Sequence, residues 1–140
     1  MNNNSLHEFA ERVLEAGAVS LADVNFLRRD ILADGLMTRE DADILIALDR
    51  TVSHLDAAWA DWFIATLTEF AVWTSTPTGQ VDAEAARWLI TSIACGEGPT
   101  DNAARLACEI VREAERADEA LLIFALRGEK RRRAPLVQAA

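Results

Sequence analysis

The chain has 140 residues, just over half of them apolar, with four tryptophans, no tyrosine, two cysteines and a net charge of −9. An acidic body repels phosphate backbones, so nucleic acid is not an expected partner. Two cysteines are too few for a disulfide framework, and nothing approaches the run of about eighteen apolar residues that a membrane span needs, so neither a disulfide scaffold nor membrane insertion is expected.

The length suits one helical domain over residues 1–126, with a basic C-terminal tail over 127–140. The Ala- and Leu-rich composition favours helix over sheet. Seven helices are expected. Ser5-Leu6-His7-Glu8 has capping-box spacing and opens the first, which runs to Ala16 before Gly17. The next two are expected over 21–33 and 39–51. A turn near Ser53 then leads to the longest, over 57–74. That helix carries Trp59, Trp62, Phe63, Leu67, Phe70 and Trp73 on more than one face, as a mostly buried element does. The stretch from Ser75 to Gly79 is the main loop and the hinge between two halves. Helices over 83–95, 101–116 and 119–127 complete an all-α bundle.

Six polar residues set the helix starts on one ruler. Ser20, Thr38 and Asp56 follow one another at eighteen-residue spacing, and so do Asp82, Thr100 and Asp118. Each accepts hydrogen bonds from the orphan N–H groups of a first helical turn. Glycines precede several of them, as in Gly17-Ala-Val-Ser20, Gly35-Leu-Met-Thr38 and Gly79-Gln-Val-Asp82. Val19, Met37 and Val81 then occupy the position from which an apolar side chain staples onto the first turn. The two sets are offset by sixty-two residues, and Leu27/Leu89, Ile31/Ile93 and Ala42/Ala104 match at that offset. The pattern predicts two pseudo-repeated three-helix units, over 19–64 and 81–126.

Up to Leu126 the chain has nine basic against twenty-two acidic residues, and beyond it five basic against one acidic. The run Lys130-Arg-Arg-Arg133 reads as a solvated tail. Cys95 and Cys108 read as small buried thiols of a cytoplasmic protein, whose first residues lack the pattern of a signal peptide.

Catalytic chemistry finds no footing. Neither His7 nor His54 has sequence context suggesting a nucleophile or a metal ligand set, no phosphate-binding glycine loop occurs, and the cysteines lack zinc-site spacing. No enzyme, catalytic residue or cofactor is therefore expected.

The segment with most chemistry runs from Asp30 to Asp41, joining two helices. It sets Asp30, Asp34, Gly35, Thr38 and Asp41 in the register of an EF-hand loop. Leu32 stands where an oxygen ligand belongs and Asp41 replaces the bidentate Glu, so it is a poor loop of that kind. A glycine turn with polar caps accounts for the same residues.

Ala33-Asp34-Gly35 followed by Glu40-Asp41, in an acidic all-helical chain, resembles the TerB-like helical domain of tellurite-resistance proteins. The resemblance covers about residues 19–126. It implies a domain of this size whose acidic residues bind divalent cations. Carried over residue by residue, it marks Asp34, Gly35, Glu40 and Asp41, with Asp30 a neighbour, so the metal-site residues it implies are Asp30, Asp34, Glu40 and Asp41. The second copy departs, since Thr78-Gly79 replaces Asp-Gly and Glu84 is the only nearby match to the acid. The functional expectation is a non-enzymatic TerB-like interaction module in a stress or metal response, acting on a protein partner. Two alternatives stand beside it: a degenerate divalent-cation-binding protein using the Asp34-Gly35 turn, and a structural homodimer with solvent-facing Trp59, Trp62 or Trp73.

Overall fold

All six cap residues start helices. The computed structural model describes the backbone over residues 3–74, 77–96 and 98–139, and the side chains over 5–74, 77–96 and 98–129. Ser20 Oγ accepts from Asp23 N at 3.1 Å, Thr38 Oγ1 from Asp41 N at 3.1 Å and Asp56 Oδ2 from Ala58 N at 2.9 Å. Sixty-two residues later, Asp82 Oδ1 accepts from Ala85 N at 2.9 Å, Thr100 Oγ1 from Ala103 N at 3.0 Å and Asp118 Oδ2 from Ala120 N at 3.0 Å. Even the choice of donor repeats. The first two caps of each set take the third N–H of the helix, and the last takes the second.

The fold is all-α, with seven α-helices among the described residues. They are α1 (Asn3–Ala16), α2 (Leu21–Phe26), α3 (Arg39–Thr51), α4 (Ala57–Thr68), α5 (Ala83–Ala94), α6 (Asp101–Glu113) and α7 (Glu119–Ala139). Four two-residue strands accompany them: β1 (Ala18–Val19), β2 (His54–Leu55), β3 (Gln80–Val81) and β4 (Arg116–Ala117). The chain divides into two compact units, residues 1–70 and 71–140.

In the first unit β1 pairs parallel with β2, Ala18 opposite His54 and Val19 opposite Leu55. Asp56 N–H donates to Val19 O at 2.9 Å, and His54 N–H donates to Gly17 O at 3.3 Å. The helical hairpin of α2 and α3 is thus an excursion whose two ends are fastened together. Below this clasp the apolar stripes of four helices converge. Phe9 and Val13 of α1, Val24 of α2, Leu45 and Leu48 of α3, and Trp59, Phe63 and Leu67 of α4 are all buried. Trp59 stacks on Phe63 with ring centroids 5.5 Å apart. Its indole N–H donates to Asp49 Oδ1 at 2.9 Å, so the one polar atom of the ring is satisfied where no water reaches it. Trp59 therefore serves the core and does not face solvent; Trp62 and Trp73 are partly buried.

The second unit repeats the clasp. Gln80 lies opposite Arg116 and Val81 opposite Ala117, again in parallel. Asp118 N–H donates to Val81 O at 2.8 Å and Arg116 N–H to Gly79 O at 3.2 Å. Leu89 and Ile93 of α5, Leu106 and Ile110 of α6, and Leu121 and Ala125 of α7 form its core.

Several boundaries differ from the sequence reading, each for a local reason. The second helix turns π-helical over Leu27–Ile31, closing with Leu32 N–H on Leu27 O at 2.7 Å. The fourth does the same over Glu69–Thr74. α1 already begins at Asn3, so Ser5 lies inside it; buried Leu6 and Phe9 hold that first turn to the core. α6 stops at Glu113 because the residues after it are drawn into β4. α7 passes Arg127 because Gly128 is no stop: it is buried, and a Cβ there would meet Ala104 Cβ at 3.4 Å, so it lets α7 pack closely on α6. Met37 is 69% exposed and staples nothing, since its neighbour Leu36 takes the buried place. Cys95 is exposed just past α5 and Cys108 is half-buried. Among the described residues no helix is long and apolar enough to cross a membrane. Ser75 and Thr76 of the expected hinge, and the side chains of Lys130 to Arg133, lie outside the described residues.

Two measurements test this fold. Gly17 and Gly79 play the same part at left-handed φ of +74° and +80°, but nothing lies within 4 Å of a Cβ at Gly17, whereas one at Gly79 meets Glu115 Cδ at 3.1 Å. Gly17→Ala should cost about 1–2 kcal/mol in urea unfolding from backbone conformation alone, and Gly79→Ala more. Equal losses would show that Glu115 simply swings aside.

The second concerns Asp23, which completes a capping box with Ser20 and pairs with Arg12 at 3.1 Å. Burial pushes its carboxyl up, but the Ser20 N–H, the Arg12 guanidinium and the Ser20 hydroxyl outweigh it and hold the group below its ordinary value. A group lowered by folding stabilises above its unfolded pKa and stops doing so as pH falls through the folded one. Native protein should therefore exceed Asp23→Asn in stability at neutral pH by about 0.5 kcal/mol, with the gap closing below about pH 4. A gap that is independent of pH would remove the charge from this account.

Candidate functional site

The segment between the π-helical turn and α3 forms a hollow with three acidic residues in its lining. Gly35 stands at φ +85° and reverses the chain after Asp34, with its N–H on Leu32 O at 3.0 Å. Leu36 then drops into the core, and Thr38 caps α3. This path leaves a cavity of about 330 Å³ lined by Asp30, Asp34, Thr38 and Asp41 on its polar side and by Leu6, Ile31, Leu32 and Met37 among its apolar residues.

Three of the four acids marked in the sequence thus share one hollow. Asp30 sits in the π-helical turn and Asp34 in the glycine turn, both exposed. Asp41 sits in the first turn of α3 and is only 8% exposed. Glu40, one residue earlier, is exposed and does not line the cavity.

Asp41 is the unusual member. Its backbone N–H is held by Thr38 Oγ1, but its Oδ1 is shielded from solvent and has no hydrogen-bond partner among the described residues. In α2 the acid at the same position, Asp23, reaches back to the N–H of its cap at 3.0 Å. Asp41 makes no such return bond. Its first-turn position favours a carboxylate through the helix dipole by roughly 0.3–1 kcal/mol. A buried polar atom without a partner costs roughly 1–3 kcal/mol. The second outweighs the first, so Asp41 is held at a loss to the fold.

The second unit shows that the fold does not need it. At the sixty-two-residue offset Asp41 corresponds to Ala103, Asp34 to Gly96 and Asp30 to Ser92, while Thr38 corresponds to Thr100. The cap is kept and the acids are not.

A metal ion asks for several donors converging at about 2.0–2.6 Å. Among the described residues no group of three or more His, Cys, Asp or Glu side chains is placed to hold one. None of the residues lining the cavity is basic, and Asp30, Asp34 and Asp41 form no ion pair among the described residues. Among the described residues, the hollow thus joins acidic and apolar side chains with no basic one in its lining.

The chain matches no family model, no curated protein and no solved structure.

The acids stand out in the sequence, but their apolar partners do not. Leu6 comes from α1, twenty-four residues before Asp30, and nothing in its surroundings distinguishes it from ordinary core. The burial of Asp41 had no signal either, since an acid in a first helical turn is normally solvated.

Removing the carboxylate tests whether the site is held against stability. Asp41→Ala, which copies the second unit, should stabilise the protein by about 1 kcal/mol in urea unfolding. A loss of that size would mean that Asp41 has a structural partner.

Proposed function

We propose that the protein is a non-enzymatic, cytoplasmic helical interaction module, similar to TerB-like domains, that binds a positively charged group in the acidic cavity at the Asp34–Gly35 turn. The observation that carries this reading is Asp41, a buried carboxylate with a partnerless oxygen on the wall of a cavity that has no basic residue. Groups that reduce the stability of a fold are retained where binding uses them. The same turn, Ala33-Asp34-Gly35 followed by Glu40-Asp41, carries the TerB resemblance and a role in a stress or metal response.

A binding role also suits the rest of the first unit. Its histidines lie in no sequence context that suggests catalysis, and Asp23, whose carboxyl is held below its ordinary value, serves a helix cap. The homodimer reading draws no support from Trp59, which is wholly buried.

The test is a titration of isotope-labelled protein, followed by amide NMR, with tetralysine and with magnesium and calcium chloride at constant ionic strength. Saturable shifts confined to amides of residues 30–41, with any of the three, are expected. A spectrum unmoved by all of them would overturn the reading.

A further inference from the structure

We infer that the cavity at the Asp34–Gly35 turn receives the cationic end of an alkyl chain, the ammonium or guanidinium of a lysine or arginine side chain presented by a partner protein. This rests on the cation-binding reading above and narrows it from any positive charge to one chemical class.

The lining decides the class. Asp30, Asp34 and Asp41 supply negative charge, and Leu6, Ile31, Leu32 and Met37 supply hydrocarbon in the same hollow. A hydrated inorganic ion has no use for four aliphatic side chains. A lysine or arginine does, because it lays its methylene stem along apolar surface while its head seeks charge. The space, about 330 Å³, lies at the lower end of the range of organic ligand pockets and far exceeds a single ion. Among the described residues no group of three or more His, Cys, Asp or Glu side chains is placed to hold a metal ion. A planar guanidinium or an ammonium needs no coordination shell and offers several N–H donors to separate carboxylates.

Asp41 supplies the independent sign of a missing partner. Its two oxygens share one charge, so a cation against the side that lines the cavity also compensates the shielded Oδ1, which has no hydrogen bond. Met37, 69% exposed at the rim, offers an adaptable thioether surface to an incoming chain. An anion is disfavoured although α3 begins beside the cavity, because three acidic residues line it.

The experiment uses the whole chain, with amide NMR reading residues 30–41. Agmatine, methylguanidine, the peptide acetyl-Gly-Arg-Gly-amide, magnesium chloride and calcium chloride are titrated at constant ionic strength. Agmatine and the peptide should give saturable shifts there. Methylguanidine, which lacks most of the stem, should bind at least roughly tenfold more weakly. Asp41→Asn should weaken agmatine and peptide by roughly tenfold or more, while Asp61→Asn, on the exposed face of α4, should not.

If magnesium or calcium shifts these amides and agmatine does not, the organic-cation inference falls while the cation reading stands. Methylguanidine binding as well as agmatine removes the alkyl stem from recognition and also overturns it. Agmatine binding without the peptide overturns the partner side chain in favour of a free diamine. No shift with any probe overturns both readings.

Discussion

Each unit depends on a pair of loops being tied together thirty-six residues apart, Ala18 to His54 in one and Gln80 to Arg116 in the other. The tie is only two residues wide, so its own hydrogen bonds contribute little. Its importance is geometric. It fixes where α2 leaves and where α4 begins, and the cap after each strand, Ser20 and Asp56 or Asp82 and Asp118, then sets the next helix in register. The apolar stripes meet because their starting points are fixed. Trp59, three residues after its cap, reaches Asp49 for the same reason.

A repeated frame makes departures from it meaningful. Thr38 and Thr100 cap their helices alike, yet three positions later one unit holds a buried acid and the other an alanine. Packing does not require the acid, because Ala103 is also buried in an equivalent turn. The proposed binding role assigns the acid to the cavity beside it, with its mixture of charge and hydrocarbon.

The frame was legible in the sequence because caps and glycines act locally. A serine that accepts from an N–H three residues on, or a glycine at positive φ, does so whatever the rest of the chain is doing. The strands were not legible. Two residues carry no alternation, and His54 and Arg116 are polar. The π-helical turns were equally hidden, since an added residue within a helical period leaves the composition unchanged. Of the site, Asp30, Asp34 and Asp41 were visible as charges around a turn. That they share a cavity with Leu6 of α1, and that no basic residue lines it among the described residues, are properties of tertiary packing that no local pattern contains.

The parallel sense of the clasp has a mechanical consequence. The chain enters the first unit's clasp at the start of β1 and leaves it at the end of β2, and in a parallel pair these points lie at opposite ends of the ladder. Tension transmitted along the backbone therefore loads its hydrogen bonds in shear, together, whereas an antiparallel clasp would peel open one bond at a time. The pull also bypasses the α2–α3 hairpin, since its ends are fastened to each other. The acidic turn lies inside that hairpin and is shielded from any strain carried by the chain on either side.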